Sequence, residues 1–257
     1  MDFDDAYANA AYIPGSEAYP GAWTQSAAVF RAENRCEIDV AYGETARQKV
    51  DFFYPSQPAK GLVVFVHGGY WLRFDKSFWS HLAAGPLSQG WAVAMPSYAL
   101  CPDVSITEIG LQIAEAIAFA AARVDGPIRL VGHSAGGHLV TRVMALPDAI
   151  GWQKRVQKIV AISPVADLVP LMKTAMNSDL RLTQTEALRE SPVRQPAPDV
   201  PVTVWVGADE RPVFIAQAHG LAQAWDCKIV VENNRHHFDV IEGMADQGSD
   251  LLSEIML

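Results

Sequence analysis

Ser134 lies in a G-H-S-A-G motif, residues 132–136, whose sequence context is typical of a nucleophile. Residues 127–131, P-I-R-L-V, favour a buried strand, and residues 135–146 carry apolar side chains at helical spacing. A strand, a sharp turn and a helix form the context in which G-x-S-x-G presents a serine hydroxyl at the tip of an elbow. Ser134 is therefore the candidate nucleophile of an acyl-transfer reaction.

A serine hydroxyl is a weak nucleophile at neutral pH and needs a general base. His236 and His237 are adjacent, and both follow the last predicted strand. Only one of the two side chains can face Ser134. We favour His237 over His236, because Phe238 directly follows it and can pack so as to fix the loop.

The base in turn needs a carboxylate that orients it. Asp209 and Glu210 both follow the predicted strand 202–206, at the sheet edge where ligands bind in open α/β sheets. We favour Asp209, the first carboxylate after the strand, and keep Glu210 as the alternative. The alternative without function is that these carboxylates belong to a solvated turn and have no catalytic role.

Residues 67–71, H-G-G-Y-W, close the predicted strand 62–66. Backbone N–H groups in such a glycine-rich turn can point at a developing oxyanion, because no Cβ blocks the approach. Together with the N–H of Ala135, the residue after the nucleophile, they would form an oxyanion hole. A plain tight turn is the alternative for this segment taken alone.

The pairing of H-G-G-Y-W with G-H-S-A-G-G resembles the serine-dependent kynurenine formamidases, relatives of the hormone-sensitive-lipase branch of α/β hydrolases. The resemblance runs from about Val50 to the C-terminus. It implies that Gly69 and Tyr70 supply the oxyanion donors, and that the catalytic histidine precedes an aromatic and an acidic residue, as in H-F-D at 237–239. Residues 97–102, S-Y-A-L-C-P, depart from the family's Y-R-L-A-P stretch, which weakens any transfer of substrate identity.

The candidate substrate pocket consists of Tyr70, Trp71 and His133. Aromatic residues after the oxyanion segment would suit an aryl substrate by stacking, although Trp79 is expected to pack a helix onto the sheet. His133 lies inside the elbow, which predicts that its side chain points away from the nucleophile. Residues 1–30, rich in Ala, Tyr, Pro and Gly, form an N-terminal arm that either covers the pocket mouth or is frayed.

From residue 41 onward apolar strands alternate with helical stretches, which predicts a mainly parallel sheet covered on both faces. With the resemblance, the predicted architecture is a single α/β-hydrolase domain, residues 1–257, with about eight mostly parallel strands and a small helical cap at 165–200. The predicted strands are 50–54, 62–66, 91–97, 127–131, 156–162, 202–206 and 228–231; the predicted helices are 76–89, 105–124, 135–146 and 240–257.

The amino-acid composition argues against several classes of binding partner. A net charge of -9 argues against binding nucleic acid or an anionic membrane, since both need a basic face. Three scattered cysteines and an acidic start, M-D-F-D-D, predict a cytoplasmic protein without a disulfide framework. The seven histidines show no metal-ligand spacing, so we expect neither a metal nor a cofactor. The expected partner is a small-molecule substrate, with a homodimer left open.

The leading hypothesis is a metal-independent serine hydrolase that forms an acyl-enzyme on a small ester or an aryl formamide such as N-formylkynurenine. A general short-chain carboxylesterase or a thioesterase would use the same mechanism. A non-catalytic binding protein on a hydrolase scaffold is the alternative from another class. We disfavour it because this chain keeps candidates for every member of the triad and for the oxyanion donors.

Overall fold

The computed structural model describes residues 2–146 and 151–257. Its strands within these ranges are Cys36–Ala41 (β1), Lys49–Phe53 (β2), Leu62–Val66 (β3), Ala92–Pro96 (β4), Ile128–His133 (β5), Val156–Ile162 (β6), Val202–Gly207 (β7) and Lys228–Glu232 (β8). They form one sheet in the order β1-β2-β4-β3-β5-β6-β7-β8. β2 is antiparallel to β1 and to β4, and the other neighbours are parallel.

Helices cover both faces of this sheet. The α-helices of the described residues are Phe3–Ala6 (α1), Tyr19–Glu33 (α2), Ala84–Ser88 (α3), Ile106–Arg123 (α4), Ala135–Arg142 (α5), Asn177–Leu180 (α6), Gln184–Glu190 (α7), Pro212–Trp225 (α8) and Asp250–Met256 (α9). Short 3₁₀ segments join many of them. No helix within residues 2–146 and 151–257 is both long and apolar enough to cross a membrane.

Strand β3 is apolar at every position because both of its faces are buried. Leu62, Val64 and Val66 pack into one hydrophobic cluster with α4, α5 and α8, whereas Val63 and Phe65 pack into a second cluster with α2 and α9. The α/β class, the mostly parallel sheet of eight strands and the helices on both faces are therefore confirmed.

Several predicted elements need correction. The predicted helix 76–89 is two 3₁₀ turns, Lys76–Phe78 and Ser80–Ala83, followed by α3, because Pro86 lacks the N–H that a continuous helix requires. The predicted helix 240–257 is a 3₁₀ turn, Glu242–Met244, followed by α9, which Ser249 caps. The predicted helix 135–146 is α-helical only to Arg142 and continues as 3₁₀.

Three parts of the observed structure lie outside the predicted elements: β1, the helix α8 and the helices of the N-terminal arm. β1 is an edge strand with every residue at least partly exposed, so it lacks the apolar run by which strands were recognised. The N-terminal arm folds into α1, two 3₁₀ turns and α2. Only Trp23 and Ala27 of α2 are buried, which gives the sequence a weak helical pattern.

Glycines let α5 lie against the sheet immediately after the elbow. A Cβ on Gly136 would lie 1.9 Å from the carbonyl oxygen of Val66, and a Cβ on Gly132 would lie 2.2 Å from that of Gly136. No L side chain fits at either distance. β3, β5 and the first turn of α5 are thus in backbone contact, and this contact fixes where the serine between them is held.

We expect Gly136→Ala to lower the free energy of unfolding by at least ~2 kcal/mol, because the new methyl group meets backbone that cannot move aside. Gly110→Ala is the matched control, since the space around its Cβ in α4 is open. That change should raise stability by about 0.5–1 kcal/mol through helix propensity. Urea unfolding followed by circular dichroism measures both, and equal effects of the two variants would contradict the packing argument.

Candidate active site

Ser134 occupies a sharp turn between β5 and α5. Its backbone has φ 56° and ψ -116°, a conformation that L residues rarely adopt. The amide N–H of Ser134 donates to the carbonyl of Ile162 at 2.8 Å, and its carbonyl accepts from His138 N at 3.0 Å. The turn is thereby held from the neighbouring strand on one side and from the helix on the other.

A chain of hydrogen bonds joins Ser134 to a histidine and a carboxylate. The Ser134 hydroxyl donates to Nε2 of His237 at 3.0 Å. Nδ1–H of His237 donates to Oε2 of Glu210 at 2.6 Å. All three residues are buried, with exposed fractions of 4 to 6%. A base that is hydrogen-bonded to both a hydroxyl and a carboxylate is the arrangement that activates a serine nucleophile.

The carboxylate in this chain is Glu210, so the prediction of Asp209 as the orienting acid is wrong. Residues 207–210 form a tight turn closed by Glu210 N and the Gly207 carbonyl at 3.4 Å. Asp209 lies at the tip of this turn and is exposed. Glu210 comes back to the sheet edge, where its Oε1 accepts from Gly207 N at 2.9 Å and from the hydroxyl of Ser163.

His237 is the histidine that contacts Ser134, and His236 is turned away. Nδ1 of His236 accepts from the backbone N–H groups of Phe238 and Asp239 at 3.2 and 3.3 Å. Its Nε2 lies 3.1 Å from the hydroxyl of Tyr19 in the N-terminal arm. The geometry thus agrees with the preference for His237 over His236.

Residues 67–71 form a loop beside Ser134, and Gly69 has φ +112° with its Cβ position only 2.4 Å from the carbonyl oxygen of Arg73. Within the described ranges, the backbone N–H groups of Gly69, Tyr70 and Ala135 donate to no backbone or side-chain acceptor. Ala135 is the first residue of α5, so its N–H has no acceptor in the helix. The three predicted oxyanion donors are therefore available to a ligand.

A cavity of about 430 Å³ opens onto Ser134 and His237. Most of its wall is apolar, and six aromatic side chains contribute to it. It is lined by Asp4, Tyr7, Ala8, Asn9, Ala10, Ala11, Trp23, Gly68, Gly69, Tyr70, Arg73, Phe74, Trp79, His133, Ser134, Ala175, Met176, His237 and Phe238. The N-terminal arm therefore covers the cavity and is not frayed.

Of the three predicted pocket residues, two line the cavity and one does not. Tyr70 and His133 line the cavity, as does Trp79, for which we favoured packing of a helix onto the sheet over a place in the pocket wall. Trp71 does not line it: its side chain is fully buried, edge-on to His138 at 5.0 Å between ring centroids. Tyr70 and Trp71 both have positive φ, near 55°, so the chain turns sharply and sends Trp71 into the core.

His133 also faces the site, contrary to the expectation that its side chain points away. Its Nε2–H donates to the carbonyl oxygen of His237 at 2.9 Å. Burial, and then the proximity of His237, hold the pKa of His133 well below its usual range. A neutral imidazole at position 133 thus anchors the backbone of the loop that carries His237.

Two aromatic residues of the N-terminal arm support the site, and the sequence analysis assigned neither of them a contact there. Trp23 packs against Phe74 and Phe238, and Tyr19 packs against His236 and Phe238, with ring centroids 5.4 to 6.2 Å apart. Nothing in the spacing of these aromatic residues distinguishes them from ordinary core residues. Only the structure shows that they pack against the loop that carries His236 and His237, residues 233–241, here called the histidine loop.

Known proteins resemble this chain in sequence. The model of the BD-FAE family matches residues 50–223. The kynurenine formamidase of Danio rerio is 28% identical over 245 residues, which cover 88% of this chain and 83% of that protein.

Solved structures extend the likeness to the fold. The crystal structure of a candidate thioesterase from Silicibacter sp. TM1040 is 52% identical, covers all of both chains and superposes with a TM-score of 0.96. An esterase from Pyrobaculum calidifontis is 20% identical, with a TM-score of 0.69 over 93% of this chain and 90% of that one. The α/β-hydrolase architecture is thereby confirmed.

We expect Glu210→Gln to lower kcat/KM for p-nitrophenyl acetate by about a hundredfold or more, because an amide no longer selects the imidazole tautomer that accepts from Ser134. Asp209→Asn is the matched control and should stay within about twofold, as expected of an exposed carboxylate away from the reacting groups. A larger loss for Asp209→Asn than for Glu210→Gln would reverse the assignment.

His67 predicts a pH effect on stability. Burial lowers the pKa of His67 to about 4, from an ordinary value of 6.5. The unfolded chain therefore binds a proton between these values that the folded chain does not, so stability falls as the pH falls from 6.5 towards 4. His67→Phe keeps a ring between Trp79 and Tyr98 and removes this titration.

The dependence of unfolding free energy on pH should be shallower in His67→Phe than in the wild type by roughly 1 kcal/mol per pH unit in that interval. Urea titrations at several pH values measure the two slopes. Identical slopes would show that His67 is protonated in the folded protein.

Proposed function

Since this chain belongs to the BD-FAE family of α/β hydrolases, we propose that it is a serine hydrolase that acts on small esters or aryl formamides through an acyl-enzyme. The observation that carries the proposal is the hydrogen-bonded series Ser134, His237 and Glu210 at the floor of an apolar cavity. The free N–H groups beside it support the same reaction.

In the first half of the proposed reaction, Oγ of Ser134 attacks the carbonyl carbon while Nε2 of His237 takes the hydroxyl proton. Glu210 stabilises the imidazolium that forms. The carbonyl oxygen becomes an oxyanion held by N–H groups of Gly69, Tyr70 and Ala135, of which one is commonly worth about 3 kcal/mol. His237 then returns the proton to the leaving alcohol or arylamine, and an acyl-Ser134 ester remains.

In the second half, water takes the place of the leaving group. Nε2 of His237 removes a proton from the water as its oxygen attacks the acyl carbon, and the same N–H groups hold the second oxyanion. The proton then passes to Oγ of Ser134 as the ester bond breaks. The products are the free carboxylic acid, formic acid in the case of a formamide, and the restored serine.

The cavity supports an aryl substrate. Trp23, Phe74, Trp79 and Phe238 present aromatic rings to its interior, and such rings favour stacked or edge-on contacts with a second ring. The kynurenine formamidase similarity points to N-formylkynurenine, an aryl formamide, as the first substrate to test. A volume of about 430 Å³ falls in the range of small-molecule sites.

Thioester hydrolysis is the second candidate. It is favoured by the 52% identity with the candidate thioesterase, which covers the whole of both chains. A thioester would react at the same serine through the same acyl-enzyme, with a thiol as the leaving group. Whether the enzyme prefers esters, aryl formamides or thioesters therefore depends on how the cavity recognises the leaving group.

We expect the wild type to hydrolyse p-nitrophenyl acetate and to be labelled by a fluorophosphonate probe, which reacts with activated serines. Ser134→Ala should lose both, leaving at most a background about a millionfold below the wild type. The comparison of kcat/KM for N-formylkynurenine, aryl and alkyl acetates, and an acyl thioester then ranks the substrate classes.

Ser163→Ala offers a control in the same region, since its hydroxyl contacts Glu210 and not Ser134. It should remain labelled by the probe, although more slowly. Substantial turnover by Ser134→Ala would contradict the proposed mechanism, and absence of labelling in the wild type would favour a binding protein.

A further inference from the structure

Ser163 is a fully buried residue directly after β6, and it takes no part in the proton transfers of the proposed reaction. Its backbone has φ 47°, in the left-handed region that residues with a side chain rarely adopt. Because the residue has no exposed surface, a solvated turn does not account for this conformation. Strained backbone is concentrated at functional sites, where the surrounding structure holds it in place.

The backbone around Ser163 is bonded to both neighbouring strands or their ends. The carbonyl of Ile162, the last residue of β6, accepts from Ser134 N at 2.8 Å and so holds the turn of the nucleophile. One residue later, the N–H of Ser163 donates to the carbonyl of Trp205 in β7 at 2.6 Å. These two bonds place Ser163 between the strand that leads to the nucleophile and the strand that leads to the carboxylate.

The side chain of Ser163 contacts the carboxylate of the triad. Its hydroxyl donates to Oε1 of Glu210, and Gly207 N donates to the same oxygen at 2.9 Å. Oε2 of Glu210 accepts from Nδ1–H of His237 at 2.6 Å. A glutamate has one more rotatable side-chain bond than an aspartate, so more freedom is lost when its carboxylate is held in one orientation. The two donors to Oε1 provide that orientation and leave Oε2 to the histidine.

Another buried serine shows what a hydroxyl with a purely local role does. Ser191 also has no exposed surface, and its hydroxyl donates to the carbonyl of Ala187, four residues earlier, at 2.5 Å. It also accepts from Leu168 N at 2.9 Å. The hydroxyl of Ser163 instead donates to a carboxylate 47 residues later in the sequence. The contact of Ser163 therefore joins two separate loops at the active site.

We propose that Ser163 is a positioning residue: its hydroxyl holds Glu210 in the orientation that keeps the imidazole of His237 aligned with Ser134. The inference rests on the proposed function, because it concerns the carboxylate of the same triad. Ser163 is not among the described residues that line the cavity, so its hydroxyl acts on the activation of the nucleophile and not on substrate binding. Hydrogen bonds to ionised groups are stronger than those between neutral groups, which suits this role.

The test is the rate at which a fluorophosphonate labels Ser134, since labelling needs an activated serine but no deacylation. In Ser163→Ala, the second-order rate constant of labelling and kcat/KM for p-nitrophenyl acetate should both fall about tenfold. Every protein molecule should still be labelled at the end of the reaction. A fraction that stays unlabelled, with the remainder reacting at the wild-type rate, would overturn the proposal, because it indicates a role in folding alone.

Ser163→Gly separates the hydroxyl from the backbone conformation. Glycine adopts positive φ without strain, so this variant removes the hydroxyl while it relieves the backbone. We expect it to be labelled as slowly as Ser163→Ala, and labelling at the wild-type rate would overturn the proposal. Ser191→Ala is the matched control, since it removes an equally buried hydroxyl that does not contact the triad. It should be labelled at the wild-type rate, although it melts at a lower temperature.

A double-mutant cycle shows whether Ser163 acts through Glu210. In the Glu210→Gln background, Ser163→Ala should lower either rate by no more than about twofold, because the carboxylate that the hydroxyl positions is already missing. A further tenfold loss in that background would overturn the proposal, because Ser163 would then act independently of the carboxylate.

Nuclear magnetic resonance separates this proposal from the proposed function. The Nδ1 proton of His237, which is bonded to a carboxylate at 2.6 Å, should give a far-downfield signal that Glu210→Gln lacks. Ser163→Ala should move or broaden that signal, and Ser191→Ala should leave it unchanged. A wild type that the fluorophosphonate does not label would contradict the proposed function, and the signal would then decide the role of Ser163 alone. An unaltered signal in Ser163→Ala overturns the proposal.

Discussion

Backbone-to-backbone contact between α5 and β3 is the constraint on which the site depends. The Cα of Gly136 lies so close to the Val66 carbonyl that a methyl group has no room there. This contact makes the turn at Ser134 short, and the short turn imposes the unfavourable φ and ψ of the serine. Backbone strain of this kind costs about 1–3 kcal/mol and persists only where the surroundings determine it. Here the bond from Ser134 N to Ile162 and the packing of α5 determine it.

The sequence predicted the parallel strands well because they are buried on both faces, which leaves unbroken apolar runs such as residues 62–66. It also identified Ser134 and His237, which the structure brings together at 3.0 Å, from motif and order along the chain. β1 escaped prediction because it is an exposed edge strand. The prediction of one continuous helix at 76–89 was wrong because Pro86 cannot donate the backbone hydrogen bond that such a helix needs.

The choice between Asp209 and Glu210 shows where sequence reasoning loses resolution. Both carboxylates follow β7, and one residue decides which of them faces the histidine. A tight turn puts its third residue outward and returns its fourth to the strand end, and no motif distinguishes that turn from a more open loop. The prediction that Trp71 lines the pocket was wrong for a related reason. Tyr70 and Trp71 both have positive φ, which turns the Trp71 side chain into the core. Positive φ is uncommon at tyrosine and tryptophan, so rules based on sequence patterns do not anticipate it.

The histidine loop has little regular structure of its own and takes its shape from distant parts of the chain. His133 holds the carbonyl of His237, and aromatic residues of the N-terminal arm pack against the residues on either side of it. The arm is also joined to α8 by the contact of Tyr7 with Gln217, 210 residues later in the sequence. During synthesis, the arm therefore leaves the ribosome long before the segments against which it folds. A nascent chain cannot contain the finished cavity, and hydrolysis by partly synthesised protein is prevented by the topology itself.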